Sequence, residues 1–496
     1  MTERLARASA ARPRKTFAMW GIAVLAALAL IATSLHGLSS NSHVVGKPES
    51  TKAADAIARA FPQTAANSKQ DVVVVTSRRY TVDSPQFQAF ARRLGSELQA
   101  PPKVIISSPV PAAVSPDRHS ALVSLLISSD SVAAHVEAVV QKANGGAFEV
   151  GITGYRTANH DFGTQSQKDL ETGELAFGLP AALIVLVLVF GAVVAGLVPV
   201  VMAILAIIVA LGLVAILSQA FELSVFIVNM LTGMGLALGI DYSLFVVSRY
   251  REERRLGFAK EDAIALAGAT ASRAVLFSGS TFVVALIGMF IVPTSIMRSL
   301  ALGAILVGIV SVAAALTLLP ALLSVVGDRV DSLRVPILGR NLGRADAAEG
   351  RFWRRIVDGV LRRPALWLTV AAGAMLAAAS PIFGLHIGAN GVSTLPSNLP
   401  SRQGHDLLER TFPVENPEPV RIVAVGGKAA AVHVDLVQLG RRLVGAGFFG
   451  AGTIQTSTSA GVALLTVPVR GDVVGGPAVS AVRDLRKSVI PEIFGS

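Results

Sequence analysis

The stretch Asn229–Arg255, NMLTGMGLALGIDYSLFVVSRYREERR, decides how this chain is read. It is apolar for most of its length, carries Asp241 and Tyr242 side by side, and closes on a burst of arginines. Counted from Leu223, the run is long enough for a membrane-spanning helix, which takes about 20 apolar residues. An ionised carboxylate at mid-membrane costs about 2.5–3.5 kcal/mol on insertion scales, so such residues usually face a bundle interior and serve function. The competing reading is an aspartate held neutral or paired for helix packing alone. On the helical face of Asp241 stand Met234, Ala237, Leu238, Phe245 and Ser248, mostly apolar. Tyr242 is turned about 100° around the axis and is expected to donate across to the other half of a duplicated molecule rather than within its own bundle.

Gly235 and Gly239 form a G-x-x-x-G, which lets a neighbouring helix approach closely. In the next apolar span, Ser278, Ser280 and Thr281 are placed either to line a proton or water path or to bond between helices.

The rest of the chain agrees with a membrane reading. Of its 496 residues 52% are hydrophobic and only 16% charged, the charges are clustered, and the mean hydropathy is +0.59. That composition describes a polytopic membrane protein. Cysteine is absent, which excludes disulfides, thiol catalysis and thiolate metal sites. The histidines show no metal-ligand spacing, and there is no Walker motif or catalytic triad, so neither an enzyme nor a bound cofactor or metal is expected. The missing Walker motif also excludes ATP hydrolysed by this chain as an energy source.

Read in order, residues 1–16 are a basic cytoplasmic N-terminus and 17–38 a first span, taken as an uncleaved helix rather than a signal peptide. Residues 39–170 are soluble in character. Five spans (173–191, 196–218, 223–248, 275–291 and 297–326) make a bundle over 171–326. An arginine-rich loop, 327–363, leads to a seventh span at 364–385, and 386–496 are soluble again. Threading with the N-terminus inside places 1–16, 249–270 and 327–363 in the cytoplasm, and each is rich in Lys and Arg. The net charge of +11 is therefore assigned to topology, not to nucleic acid. Arg298, on the outer side, is the exception.

In the first soluble stretch, strands at 71–77, 103–107, 120–127 and 147–152 alternate with helices at 84–98 and 130–142 after a short leading helix at 53–61. The β-α-β-β-α-β order is that of ferredoxin-like domains. The second stretch repeats it: a helix at 401–411, a strand at 420–426, a helix at 430–445, strands near 453 and at 462–469, and a helix at 477–490. Arg12-Pro13 and Arg363-Pro364 lie 351 residues apart, as do Phe61-Pro62 and Phe412-Pro413, which marks an internal duplication. The second copy is expected to be incomplete, lacking its last strand and the spans after it. Ser401–His405 is read as an exposed helix start, and Glu252 and Glu253 as a solvated helix end.

The block Gly233–Glu253, with Gly-Ile-Asp241-Tyr242 and its Arg-Tyr-Arg-Glu-Glu tail, resembles the MmpL-type members of the RND transporter superfamily. Leu276–Gly279, Met297–Leu300, Leu318–Leu323 and the approach Asp161…Asp169-Leu170…Glu174 are similar as well. The resemblance implies two pseudo-symmetric halves, periplasmic porter domains, and transport of lipids or other amphiphiles across the inner (plasma) membrane. It also implies proton flow through Asp-Tyr pairs, here Asp241 and Tyr242, with Gly235, Gly239, Phe245 and Ser278 as packing or relay support. The expected fold is thus an α-helical polytopic membrane protein of about seven spans with two periplasmic α+β ferredoxin-like porter domains, the second incomplete. The expected partners are an amphiphilic substrate, membrane lipids and, for a half transporter, a second chain supplying the other half. A non-transporting remnant and an envelope-assembly scaffold are the alternatives.

Overall fold

The computed structural model describes residues 1–34, 38, 44–46, 48–67, 70–100, 104–106, 113–333, 355–384, 391–412, 419–426, 429–445, 447–458, 460–469 and 475–495. Most of the arginine-rich loop and part of the expected strand at 103–107 lie outside them. In chain order the elements begin with α1 (Thr2–Ala11), α2 (Pro13–Ser34), α3 (Glu49–Ala60) and α4 (Pro62–Asn67). There follow β1 (Asp71–Thr76), α5 (Pro85–Gln99), β2 (Ile105–Ile106), β3 (Ala113–Val114), β4 (Ser120–Leu126), α6 (Asp130–Ala143), β5 (Glu149–Gly154) and α7 (Tyr155–Asp169). A π-helical stretch, Leu170–Gly178, leads into α8 (Leu179–Phe190), α9 (Val193–Leu217) and α10 (Phe226–Arg255). Next come α11 (Lys260–Ala269), α12 (Ala271–Ile287), α13 (Ser295–Leu316), α14 (Leu318–Val326) and α15 (Pro364–Ala379). The chain closes with α16 (Pro400–Thr411), β6 (Val420–Val425), α17 (Ala429–Gly445), β7 (Thr453–Ser457), β8 (Val462–Val467), α18 (Gly476–Asp484) and α19 (Ile490–Phe494). These form two compact units, 1–46 with 165–380 and 47–164 with 381–496.

The first unit is helical. Seven helices among the described residues are long and apolar enough to cross a membrane, starting at Pro13, Tyr155, Val193, Phe226, Lys260, Ser295 and Pro364. They pack through small residues. A Cβ on Gly239 would fall 2.6 Å from Ala203 Cα, one on Gly235 2.4 Å from Ile207, and one on Gly212 2.5 Å from Ala27. Such contacts let backbones close where lipid supplies no hydrophobic drive between helices. The expected sixth span is broken at Thr317 (φ −124°, ψ −60°), separating α13 from α14. Pro320 explains the break, since it has no N–H to continue the ladder and its ring clashes with the preceding turn. Thr317 turns its hydroxyl to Ala313 O at 2.6 Å and accepts Trp20 Nε1 at 3.1 Å. The basic N-terminus is not merely a tail: it forms α1, whose Ala6 is buried against Gly268 of α11.

The second unit holds two sheets. The first runs β2-β4-β1-β5, all antiparallel, with β3 beside β4. Ser84 caps α5 by accepting from Phe87 N at 3.3 Å, and Phe87, Phe90, Leu94 and Leu98 fill one core with Val73, Val123 and Ile152. The two-residue β3 is too short for a pattern to reveal. The second sheet is ordered β6-β8-β7 and is backed by α17 and α18.

The residues paired by the 351-residue offset have similar backbone angles. Arg12 (φ −130°, ψ 57°) and Arg363 (φ −140°, ψ 64°) precede α2 and α15, while Phe61 (φ −138°, ψ 67°) and Phe412 (φ −134°, ψ 66°) close α3 and α16. The two leading helices are exchanged between the sheets. α16 lies on β5 and β1, where Leu407, Leu408 and Phe412 cluster with Val74 and Leu122. α3 lies against β6 and β8. Gly404 makes this docking possible, because a Cβ there would come 2.0 Å from Ile152 O. The Ser401–His405 segment is therefore not an exposed helix start: Ser401 is fully buried.

Candidate functional site

α10 has two faces of different character. Gly235, Gly239, Tyr242, Val246 and Tyr250 are turned inward and buried, whereas Ala237, Asp241, Phe245 and Ser248 are exposed. The carboxylate thus sits on the open face, with Phe245 63% exposed one turn beyond it. Tyr242 corrects the expectation: it is 5% exposed and lies within its own bundle rather than reaching outward. Its Oη stands 3.5 Å from where a Cβ of Gly279 would be, an ordinary contact distance; the group such a Cβ would collide with is Val312, at 2.3 Å. Ser278 lies beside that hydroxyl, but not in a geometry that satisfies it: Tyr242 Oη is buried without a hydrogen bond among the described residues. Neighbouring Ser280 and Thr281 bond the carbonyls of Leu276 and Phe277, at 2.8 and 2.9 Å, so both hydroxyls are used within their own helix.

The arginine-bearing end of α10 is a set of joints. Arg251 reaches Asp331 at 2.7 Å and Phe190 O at 3.0 Å, and Arg254 reaches Asp328 at 2.6 Å. Arg249 pairs with Glu252 at 2.6 Å and also with Glu253. Glu253 is not solvated as expected but 2% exposed, because the arginine one turn earlier neutralises it inside the fold. At the opposite end, Asn229 Nδ2 donates to Ser166 Oγ at 2.8 Å and to Ser166 O at 3.0 Å. One turn further along, the Glu174 carboxylate rests on Gly233, its Oε1 2.9 Å from where a Cβ would stand.

The second unit has its own buried acids. Asp71 accepts from Arg156 N at 3.1 Å, Thr157 N at 2.9 Å and Thr157 Oγ1 at 2.8 Å, capping α7 from a neighbouring strand. Burial pushes the Asp71 carboxyl above the usual range while these donors pull it back. Asp161 does the same for α16, accepting Ser401 N at 2.8 Å and Ser401 Oγ at 2.5 Å. Glu137 bonds His160 Nδ1 at 2.9 Å, and burial raises its carboxyl, with His160 opposing. Glu137, His160 and Asp161 bring donor atoms within 4.8 Å of one another, a grouping across two helices that sequence spacing does not show. Asp71 and Asp161 each answer a helix N-terminus and Glu137 answers a histidine, so the cluster is explained as structural joints.

A helical unit with seven candidate membrane spans among the described residues, carried with an α/β unit, defines a multi-pass membrane protein. The MMPL family model matches residues 44–367, and the chain belongs to that family of RND-type proteins. It is 30% identical, over 87% of its length and 61% of the other's, to a putative membrane protein, SCO6666, of Streptomyces coelicolor. It is 38% identical over 45% of its length to the mycolic acid-containing lipids exporter MmpL11 of Mycolicibacterium smegmatis, covering 23% of that protein. It is 27% identical over 58% of its length to that organism's trehalose monomycolate exporter MmpL3, covering 30% of it. The chain thus spans less than two thirds of the length of these relatives.

Proposed function

We propose that this chain serves proton-driven export of lipid-like or other amphiphilic molecules across the plasma membrane, with its N-terminus in the cytoplasm. The observation that carries the reading is Asp241, a carboxylate on the open, otherwise mostly apolar face of a membrane helix, with the unsatisfied hydroxyl of Tyr242 on the next residue. A carboxyl in that setting changes its proton affinity steeply with its surroundings, since burial favours the neutral form and a nearby donor favours the charged one. A conformational cycle that alternately wets and covers Asp241 would make it take up and release a proton. Each elementary charge crossing at 100 mV supplies about 2.3 kcal/mol, enough for a few such events to move an amphiphile.

In this reading the open face of α10 meets a second helical bundle carrying its own carboxylate, as the family resemblance implies, and the two sheets of the soluble unit guide cargo outward as porter domains. The printed names of the MmpL11 and MmpL3 relatives support a lipid cargo. The test is transfer of a fluorescent glycolipid out of proteoliposomes containing the full-length protein under an imposed pH gradient. Transfer should depend on the gradient and be lost in Asp241→Asn. Transfer that ignores the gradient, or survives the substitution, overturns the reading.

A further inference from the structure

A second carboxylate rests against α10 at Gly233, two turns before Asp241 and about 80° around the axis from it, and the proposed proton path gives it a task. Asn229, Gly233, Ala237 and Asp241 recur every four residues, so they form one slowly turning ridge along α10. The Glu174 side chain, from the π-helical stretch Leu170–Gly178, lies directly on this ridge at Gly233. Its Oε2 is buried and makes no hydrogen bond among the described residues. From Gly233 to Asp241 is eight residues, about 12 Å along the helix axis at 1.5 Å per residue. Between them the ridge carries only Ala237, with Met234 and Leu238 flanking it.

The charges around this path are few. α9 carries none. α11 and α12 carry theirs (Lys260, Glu261 and Asp262; Arg273) at the arginine-bearing end of α10, and α13 has only Arg298, in its first turn. The π-helical stretch adds Glu171, which is exposed. On its own helix, α10, the charged residues other than Asp241 all follow Ser248.

We propose that Glu174 is the outer proton-holding station for Asp241. The inference rests on the proton-driven reading above and assigns a residue to it. Glu174 takes a proton from a hydronium ion on the side away from the arginines, leaving water. It then passes that proton through bridging water to the Asp241 carboxylate, and itself returns to the anion. The irregular π turn favours this, since such insertions re-aim a side chain within an otherwise regular helix and recur at functional sites. Gly233 leaves the space in which the carboxylate rests.

Proton uptake by proteoliposomes of the full-length protein tests this across a range of external pH. Glu174→Gln should slow uptake by at least about tenfold at mildly alkaline pH, the scale of a lost proton-transfer group, with partial recovery in acid where protons are abundant. Glu174→Asp should restore most of the rate. A purely structural Glu174 would instead lower the rate equally at every pH. Wild-type rate and profile in Glu174→Gln, with Asp241→Asn inactive, overturns the station while leaving proton coupling intact. If Asp241→Asn also behaves as wild type, it is the proton-driven reading that fails.

Should Glu174→Gln not fold, dicyclohexylcarbodiimide labelling of the wild-type protein decides, because that reagent modifies protonated carboxyls in apolar surroundings. Glu174 and Asp241 should both be labelled, more heavily in acid. Labelling of Asp241 alone at every pH overturns the proposal.

Discussion

At the scale of single residues, the membrane unit is controlled by what glycine leaves out. Replacing Gly239 by Leu pushes side-chain atoms into the Ala203 backbone, and overpacking of that kind costs about 1–3 kcal/mol. The detergent-solubilised variant should melt several degrees lower, whereas Gly21→Ala, with nothing within 4 Å of the new Cβ, should melt as wild type. Tyr242 runs the other way. Its buried Oη lacks a hydrogen bond, a burden of about 1–3 kcal/mol, so Tyr242→Phe should raise thermal stability while slowing proton-coupled transfer. Loss of stability in Tyr242→Phe would contradict the unsatisfied hydroxyl. The Asp241–Tyr242 pair was legible in sequence because a charge in an apolar run is conspicuous. Which of the two faces inward was not, because that depends on the helices packed against α10.

At the scale of elements, most helices and strands could be read from periodicity and caps. The Ser84 cap and the Phe87, Phe90, Leu94, Leu98 spacing of α5 are examples. The exchange of α3 and α16 could not, because a helix shows which of its faces is apolar but not which sheet it covers. Three features of α16 carry the docking: Gly404 against Ile152 O, Ser401 bonded to Asp161, and the Leu407–Leu408–Phe412 cluster. Ser401→Ala removes the hydroxyl bond to Asp161 while the backbone N–H still donates to the same oxygen, and should cost about 1 kcal/mol. Amide hydrogen exchange should then quicken in both α16 and β5. Faster exchange in α16 alone would mean that the helix is not a load carried by the first sheet.

At the scale of the whole molecule, charge is used in two ways. Outside the membrane spans, buried acids join helices, and their proton affinities follow. Burial raises the Glu137 carboxyl above its ordinary range, so the folded state holds that proton more tightly than the unfolded chain does. Stability from this group is present at low pH and declines as pH rises above the unfolded value. Apparent melting temperature should therefore fall between mildly acid and neutral pH, and Glu137→Gln should flatten that decline; an unchanged slope would contradict the assignment. At the arginine end of α10, ion pairs to Asp328 and Asp331 fix the helix against the segment after α14. Sequence counting credited these arginines to topology alone because partners about 75 residues away are visible only once the chain is folded.

The central claim is that Asp241 carries the transported proton. Its most direct measurement is proton flux into proteoliposomes of the full-length protein, followed with an entrapped pH indicator while amphiphilic cargo is supplied. The wild type should acidify the lumen in step with cargo movement, Asp241→Asn should hold it flat, and Asp241→Glu should retain part of the flux. Equal acidification by wild type and Asp241→Asn would contradict the account.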